Sequence, residues 1–362
     1  MKNFKRCKEI AVKGLRQCYG PYGIYAGLHQ FKQYWARDSM WASLGALELG
    51  DCDVVRKNLQ VLLDFEETGK IPLRMSKRWI PLGSGLKPNF YSSLSKNHAS
   101  DNNSLFLIAL SEYYNKEQDK KFFIKNLDKI YSVINYLLKR ANGLIKEGEY
   151  ASWMDGISKK GYLFYSNILL YMALRKLIKI KEVRINKAVI KELKKSINEV
   201  FWNGEYFIDW KGNNDMDYFS TFSNLIAIYF DFASKEQKEK IFDFIEEKGL
   251  IMEDGNIIKS HPNYSERFIR PIFKVIGMKG YCTEIRYPWM SFFYFLCLKK
   301  EGLLKDKSRK RLERLCERII RDKTIYECYS PDNKPYQTIL YKAEHPFAWG
   351  CSFAVLLFSE KN

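Results

Sequence analysis

The chain has 362 residues, 46% of them hydrophobic and 28% charged, with 60 Lys and Arg against 42 Asp and Glu for a net charge of +18. That balance describes a globular protein long enough to bury a large core, and it excludes a disordered chain or a small disulfide-stapled scaffold. The positive charge invites a nucleic-acid reading, but the lysines are spread along apolar helical patterns, as in 181–196 and 305–323, with no recognition motif beside them.

Apolar residues recur at helical spacing from end to end. The pattern predicts helices over 4–18, 39–49, 52–66, 102–115, 118–140, 162–181, 186–200, 218–232, 235–247, 289–300, 306–322 and 347–358. Short hairpins are expected at 205–210 and 250–259. Tight connections alternate with long ones, at 19–35, 67–101, 141–161, 201–217, 248–288 and 323–346. Short links make antiparallel helix pairs, and long links rich in Gly, Pro, Trp and Tyr are where function gathers. Twelve helices in this rhythm fit an all-α barrel of six inner and six outer helices. No composition shift divides the chain, so a single domain over 1–362 is expected. A helical-repeat solenoid would need a fixed period, which is missing.

The N-terminus reads as an amphipathic helix rather than a secretory signal, and no stretch is long and apolar enough for a membrane span, so a cytoplasmic protein is expected. The eight cysteines show no CxxC pair and the four histidines no ligand spacing. Neither a P-loop nor a dinucleotide fingerprint is present, so no metal and no organic cofactor are expected.

Three long links carry candidate chemistry. In 31–47, Asp38 reads equally as a helix cap or, with Tyr34, Trp35 and Arg37, as a seat in which rings cover a sugar and Arg and Asp bind its hydroxyls. In 147–177, Asp155 of Trp153-Met154-Asp155-Gly156 is either a turn aspartate or a poorly solvated proton donor. In 324–358, Glu327 lies in an aromatic-rich turn with no cap role, while Glu344 reads as an acid at a helix start. Asp155 and Glu327 meet only if the fold closes. Glycoside hydrolysis needs two such carboxyl groups across one bond.

YWARDSMWASLGAL (34–47), GKIPLRM (69–75), ASDNNSLFLIALSEYY (99–114), SWMDG (152–156) and IYECYSP followed by FAWGCSFAVLLF (325–358) resemble, in order, the six-hairpin glycosidases. The nearest likeness is to the glucosidase domain of glycogen debranching enzymes and to processing α-glucosidase I, with glucoamylases and trehalases more distant. The resemblance implies an (α/α)6 toroid, Asp155 as general acid and Glu327 as general base. It implies substrate contacts from Arg37 and Asp38 and pocket positions at Asp101 and Trp349; Tyr34, Trp35, Trp153, Trp289 and Glu344 are expected in the same pocket. These families invert the anomeric centre, which sets the carboxyls roughly 6.5–9.5 Å apart. Tyr165-Ser166 departs from the Glu-Val or Glu-Ile of debranching enzymes, the β-rich domain that often precedes the barrel is not expected, and the trehalase Q-W-D signature is missing.

The expected function is therefore an inverting glycoside hydrolase acting on an α-glucoside or short α-glucan, as a monomer or homodimer. A phosphorylase on the same toroid, or a carbohydrate-binding or nucleic-acid-binding scaffold without catalysis, are the alternatives.

Overall fold

The computed structural model of the protein describes residues 2–77, 85–91 and 97–359. Parts of the long link 67–101 thus lie outside the described residues. Fifteen α-helices follow in order among the described residues. They are α1 (Lys2–Gln17), α2 (Ala36–Glu48), α3 (Cys52–Asp64), α4 (Asp101–Glu117), α5 (Lys120–Lys125), α6 (Leu127–Arg140), α7 (Phe164–Leu177) and α8 (Lys187–Phe201). After these come α9 (Thr221–Tyr229), α10 (Lys235–Glu247), α11 (Pro271–Val275), α12 (Lys279–Thr283), α13 (Pro288–Lys300), α14 (Asp306–Asp322) and α15 (Ala348–Leu357).

Six helices are buried on nearly every side: α2, α4, α7, α9, α13 and α15. Their sequences require it. In α13, Pro288-Trp289-Met290-Ser291-Phe292-Phe293-Tyr294-Phe295 is apolar all round, and such a helix is stable only inside. These six pack in the order α2, α4, α7, α9, α13, α15, and α15 closes back onto α2. Helices α1, α3, α6, α8, α10 and α14 each carry one apolar stripe and lie outside the ring. In α14 that stripe is Leu312, Leu315, Cys316 and Ile319. The fold is an (α/α)6 toroid.

The C-terminal ends of all six inner helices surround one cavity of about 920 Å³, lined by Glu48, Lys116, Lys179, Phe230, Lys300 and Leu356 among others. The inner helices are therefore parallel, and their N-terminal ends share the opposite rim, where the six long links enter. Four of those links are pinned by a buried polar side chain in the first turn of the helix they feed. Asn103 accepts from the Ile71 N–H (3.0 Å) and donates to the Gly69 carbonyl (2.6 Å). Asn167 holds both backbone groups of Ile145 (2.7 and 3.0 Å), and Asn224 both groups of Phe207 (2.9 and 2.9 Å). The Ser291 hydroxyl accepts from the Ile257 N–H (3.2 Å). Each bond satisfies backbone that a buried loop would otherwise leave unpaired.

Three expectations change. The helix expected over 118–140 is two, because the Asn126 side chain folds back onto the Phe122 carbonyl (2.9 Å) and interrupts the ladder. Link 248–288 contains α11 and α12, too short to show a period. The hairpins at 205–210 and 250–259 reduce to single bridges such as Trp202–Phe207 and Ile251–Ile257. The fuller sheets pair Tyr34–Trp35 with Arg74–Lys77 and Leu86–Asn89, and Lys146–Glu147 with Gly161–Leu163 and Trp210–Gly212. No helix among the described residues is long and apolar enough to cross a membrane, and all eight cysteines are buried as free thiols.

Candidate active site

The rim at the N-terminal ends of the inner helices has an aromatic floor. Trp289, at the start of α13, stacks on Trp349 at the start of α15, with ring centroids 4.3 Å apart. Phe222, at the start of α9, meets Trp289 edge-on at 4.9 Å, and Trp153 meets Trp289 edge-on at 5.5 Å. Trp41, one turn deeper in α2, lies parallel to Trp349 at 6.0 Å. Three of the expected tryptophans, 153, 289 and 349, thus share one surface.

Acidic groups stand above that floor. Arg37 Nε donates to Asp101 Oδ2 at 2.5 Å, a buried ion pair tying the starts of α2 and α4 together. Asp38 occupies the third position of α2, whose N-cap is Trp35, and its carboxyl is held by its own backbone N–H. Its carboxyl accepts no side-chain hydrogen bond from another described residue. Burial pushes it up to about 7 against the pull of Arg37, and the charges of Asp155 and Asp101 add to the rise.

Asp155 lies in a turn closed by the Ile157 N–H donating to the Met154 carbonyl (3.1 Å). The turn is clamped to link 248–288: Ile157 bridges Ile269, and the Arg270 N–H donates to the Gly156 carbonyl (2.8 Å). Gly156 is required here, since a Cβ would stand 2.6 Å from Cys282 Sγ and 2.8 Å from the Phe273 ring. Asp155 is partly exposed. Burial raises its carboxyl above the ordinary aspartate range, while Arg37 and Arg270 oppose the shift.

Glu327 is buried without a cation. Tyr281 donates to its Oε1 at 2.8 Å and Tyr341 to its Oε2. Burial pushes it up to about 7, the two phenols pull it down, and Asp38 pushes it further up. Helix α12 touches both acid-bearing segments. Its Tyr281 holds Glu327, and the next residue, Cys282, packs its thiol on the Gly156 carbonyl (3.5 Å) beside Asp155. Arg37, Asp38, Asp101, Asp155 and Glu327 therefore form one electrostatic cluster over one aromatic floor. Several buried polar atoms around it have no hydrogen-bond partner among the described residues, including Trp153 Nε1, Trp349 Nε1, Ser152 Oγ, Asn102 Oδ1 and Arg270 Nε and Nη2. Buried polar groups are normally paired, so their concentration at one rim marks a place for a polar ligand.

Two expected residues are elsewhere. Tyr34 alternates with Trp35 along a strand and so faces the other way. Its ring stacks on Tyr25 at 4.4 Å and its hydroxyl accepts from the Tyr22 N–H at 3.3 Å, under the first long link. Trp35 stays at the rim side, with the Arg74 guanidinium 4.8 Å over its ring. Glu344 is fully buried and occupied. Its carboxylate accepts from the backbone N–H groups of Leu28 (2.9 Å), His29 (2.8 Å) and Phe31 (2.8 Å), which fastens link 19–35 to the tail. Gly27 makes room for it, since a Cβ would lie 2.1 Å from Glu344 Cγ. The histidines do not join the cluster either. His98 bonds the Ile71 carbonyl (2.9 Å) and Tyr136 (3.2 Å), and burial pushes it down to about 4; His29 is exposed against His345.

Sequence reading missed Tyr281, Tyr341 and Arg270. The first two had only aromatic richness as a signal, and Arg270 had none. Among the described residues no group of three or more His, Cys, Asp or Glu side chains could hold a metal ion.

No protein-family model and no curated protein matches the chain. Solved structures do match. A rhamnosidase from Klebsiella oxytoca with rhamnose bound superposes with a TM-score of 0.71 at 14% identity, over 98% of this chain but only 63% of that one. The mannosylglycerate hydrolase of glycoside hydrolase family 63 from Thermus thermophilus, in complex with Tris, gives 0.68 at 11% identity over 96% and 99% of the two chains. The family 78 rhamnosidase of Bacillus sp. GL1 gives 0.69 at 17% identity over 99% of this chain and 35% of that one. The protein thus has the toroid fold of known glycoside hydrolases, and at these identities the likeness is one of fold.

Proposed function

We propose that the protein is an inverting glycoside hydrolase that cleaves an α-glucoside or short α-glucan, with Asp155 as general acid and Glu327 as general base. In this reading the Asp155 carboxyl gives its proton to the glycosidic oxygen as the bond to the anomeric carbon breaks. Glu327 takes a proton from the water that attacks that carbon from the opposite face. The products are a free sugar of inverted configuration and an alcohol, and the two carboxyls regain their states by exchange with solvent. Burial suits the acid role, and at Glu327 the two phenols work against it. It keeps Asp155 protonated to higher pH, while Tyr281 and Tyr341 favour the ionised Glu327. Arg37, Asp38 and Asp101 are assigned to sugar hydroxyls, and the floor of Trp153, Trp289 and Trp349 to the apolar face of the ring.

The observation that supports the reading is that α12 touches both acid-bearing segments, through Tyr281 to Glu327 and through Cys282 to Gly156 beside Asp155, while Asp38 is charge-coupled to both acids. The likeness to debranching enzymes in the quoted motifs favours glucose; the fold shared with enzymes named rhamnosidase and mannosylglycerate hydrolase puts rhamnosides and mannosides in the screen as well. The test is hydrolysis of maltose, isomaltose, nigerose, kojibiose, trehalose, glycogen and those further glycosides, with the product anomer followed by NMR. A β-anomer from an α-linked substrate is expected. An α-anomer would overturn the acid and base roles, and cleavage of nothing in the panel would overturn the enzyme.

A further inference from the structure

Four arginines are deeply buried among the described residues: 37, 270, 311 and 318. Three face a carboxylate. Arg37 pairs with Asp101, Arg311 with Glu246 and Glu253, and Arg318 with Asp254 at 3.7 Å. Arg270 does not. It is 7% exposed, its guanidinium carbon stands 5.0 Å over the Tyr150 ring, and Nε and Nη2 are covered without a hydrogen-bond partner among the described residues. Outside the described residues, 78–84 and 92–96 carry no acidic side chain, and Glu360 follows Ser359, which lines the cavity at the opposite end of the barrel. An unpaired guanidinium out of water is expensive, so its retention calls for a counter-charge that arrives with a ligand.

The position says which part of a ligand that is. The Arg270 backbone is locked to Gly156, one residue from Asp155, and its charge is felt at the Asp155 carboxyl. A general acid stands on the leaving-group side of the bond it protonates, so a side chain next to it meets the leaving group. The two unpaired nitrogens form one edge of the fork, spaced to take both oxygens of a carboxylate in parallel bonds. A neutral hydroxyl takes one such bond and leaves the charge unanswered.

We infer that Arg270 is a specificity residue that grips a carboxylate on the leaving group, so that the preferred substrates are glycosides of sugar acids or hydroxy acids. This rests on the proposed role of Asp155. Within that reading it favours α-glucosides whose released alcohol is anionic over the neutral α-glucans.

The test compares 4-carboxyphenyl and 4-carbamoylphenyl glycosides of the sugar selected by the screen, in the wild type, Arg270→Gln and Arg270→Lys. The readout is the ratio of kcat/KM for acid over amide within each variant, which cancels any general loss of activity. The wild type should favour the acid on the order of 10- to 100-fold, the worth of a charge-assisted fork. The ratio should fall towards one in Arg270→Gln and stay between the two in Arg270→Lys. A wild-type ratio near one, or a ratio unchanged in Arg270→Gln, overturns the inference. So does phosphate-dependent cleavage to a glycosyl phosphate, because inorganic phosphate would then be the oxyanion served. If Arg270→Gln does not fold, the wild-type and Arg270→Lys ratios decide. Calorimetry with free 4-hydroxybenzoate and 4-hydroxybenzamide separates this inference from the enzymatic reading. Selective binding of the benzoate, lost with Arg270 and unaccompanied by cleavage of any glycoside, sinks the hydrolase and keeps the anion site. Equal binding of the two sinks the anion site.

Discussion

The two ends of the barrel differ in what their charges face. At the C-terminal end of the inner helices, lysines and an arginine point at carbonyls. Lys299 Nζ donates to the Leu357 (3.1 Å) and Ser359 (2.7 Å) carbonyls, Lys300 to Tyr229 (2.6 Å), and Arg175 to Phe230 (3.1 Å) and Asp231 (3.2 Å). At the N-terminal end, carboxyls stand with few cations. Six parallel helices add their dipoles, so one rim favours anions and the other cations, and both sets sit where the backbone wants them. The difference is satisfaction. At the basic end, around its cavity of about 920 Å³, Lys299, Lys300 and Arg175 are committed to helix-end carbonyls and Lys176 to Glu112. The acidic rim keeps Asp38 and Asp155 without side-chain hydrogen bonds from other described residues. Unanswered polarity, rather than the size of the opening, is what marks the acidic rim as the candidate site.

That contrast breaks most sharply if the acids are neutral to activity. Asp155→Asn and Glu327→Gln should each lower kcat by about 10²–10⁴-fold, the usual worth of a general acid or base, with the fold intact by circular dichroism. Turnover within a few-fold of wild type would remove that residue from the chemistry. Tyr281→Phe and Tyr341→Phe come next. Each removes a donor that favours ionised Glu327, so the Glu327 carboxyl rises above about 7 and the acidic limb of the kcat/KM profile should move to higher pH. A limb that stays in place would mean that the phenols only pack.

Stability gives a third measure. The folded Glu327 carboxyl lies at about 7, above its ordinary 4.5, so folding favours the protonated form. That contribution is full below about 4.5 and is lost as pH climbs through about 7. Glutamine cannot ionise, so Glu327→Gln should match wild type near pH 4.5 and melt about 2–4 °C higher at pH 8. The reverse ordering would mean that the ionised form is the one the fold prefers. Smallest of all, Lys299→Met at the opposite end should cost about 1 kcal/mol of stability and leave kcat unchanged. A kcat loss there would mean that the two ends are coupled.

Much of this architecture was legible in the sequence because its signals are local. The inner helices announce themselves by being apolar all round, and the long links by length and aromatic content. Arg37, Asp38, Asp101, Asp155 and Glu327 were legible by type and context, and they meet because each lies at or just before the start of an inner helix, or in the link that feeds one. What escaped depends on partners far along the chain. Glu344 looks available in the sequence, yet the backbone of Leu28, His29 and Phe31, more than 300 residues earlier, occupies it. Tyr34 looks like a sugar platform because strand alternation across two residues is too short to detect. Arg270 and Tyr281 gain their meaning only from α11 and α12, helices of five residues each with no readable period.

The asparagine moorings of the links carry a consequence for how such a barrel changes over time. Each of Asn103, Asn167 and Asn224 fastens its loop through a few backbone atoms, which every amino acid possesses. A loop can therefore be rewritten in composition, or lengthened beyond its anchor point, while the helix beneath it keeps the same grip. New selectivity can be cut into the mouth of the barrel without renegotiating the packing that holds the barrel together.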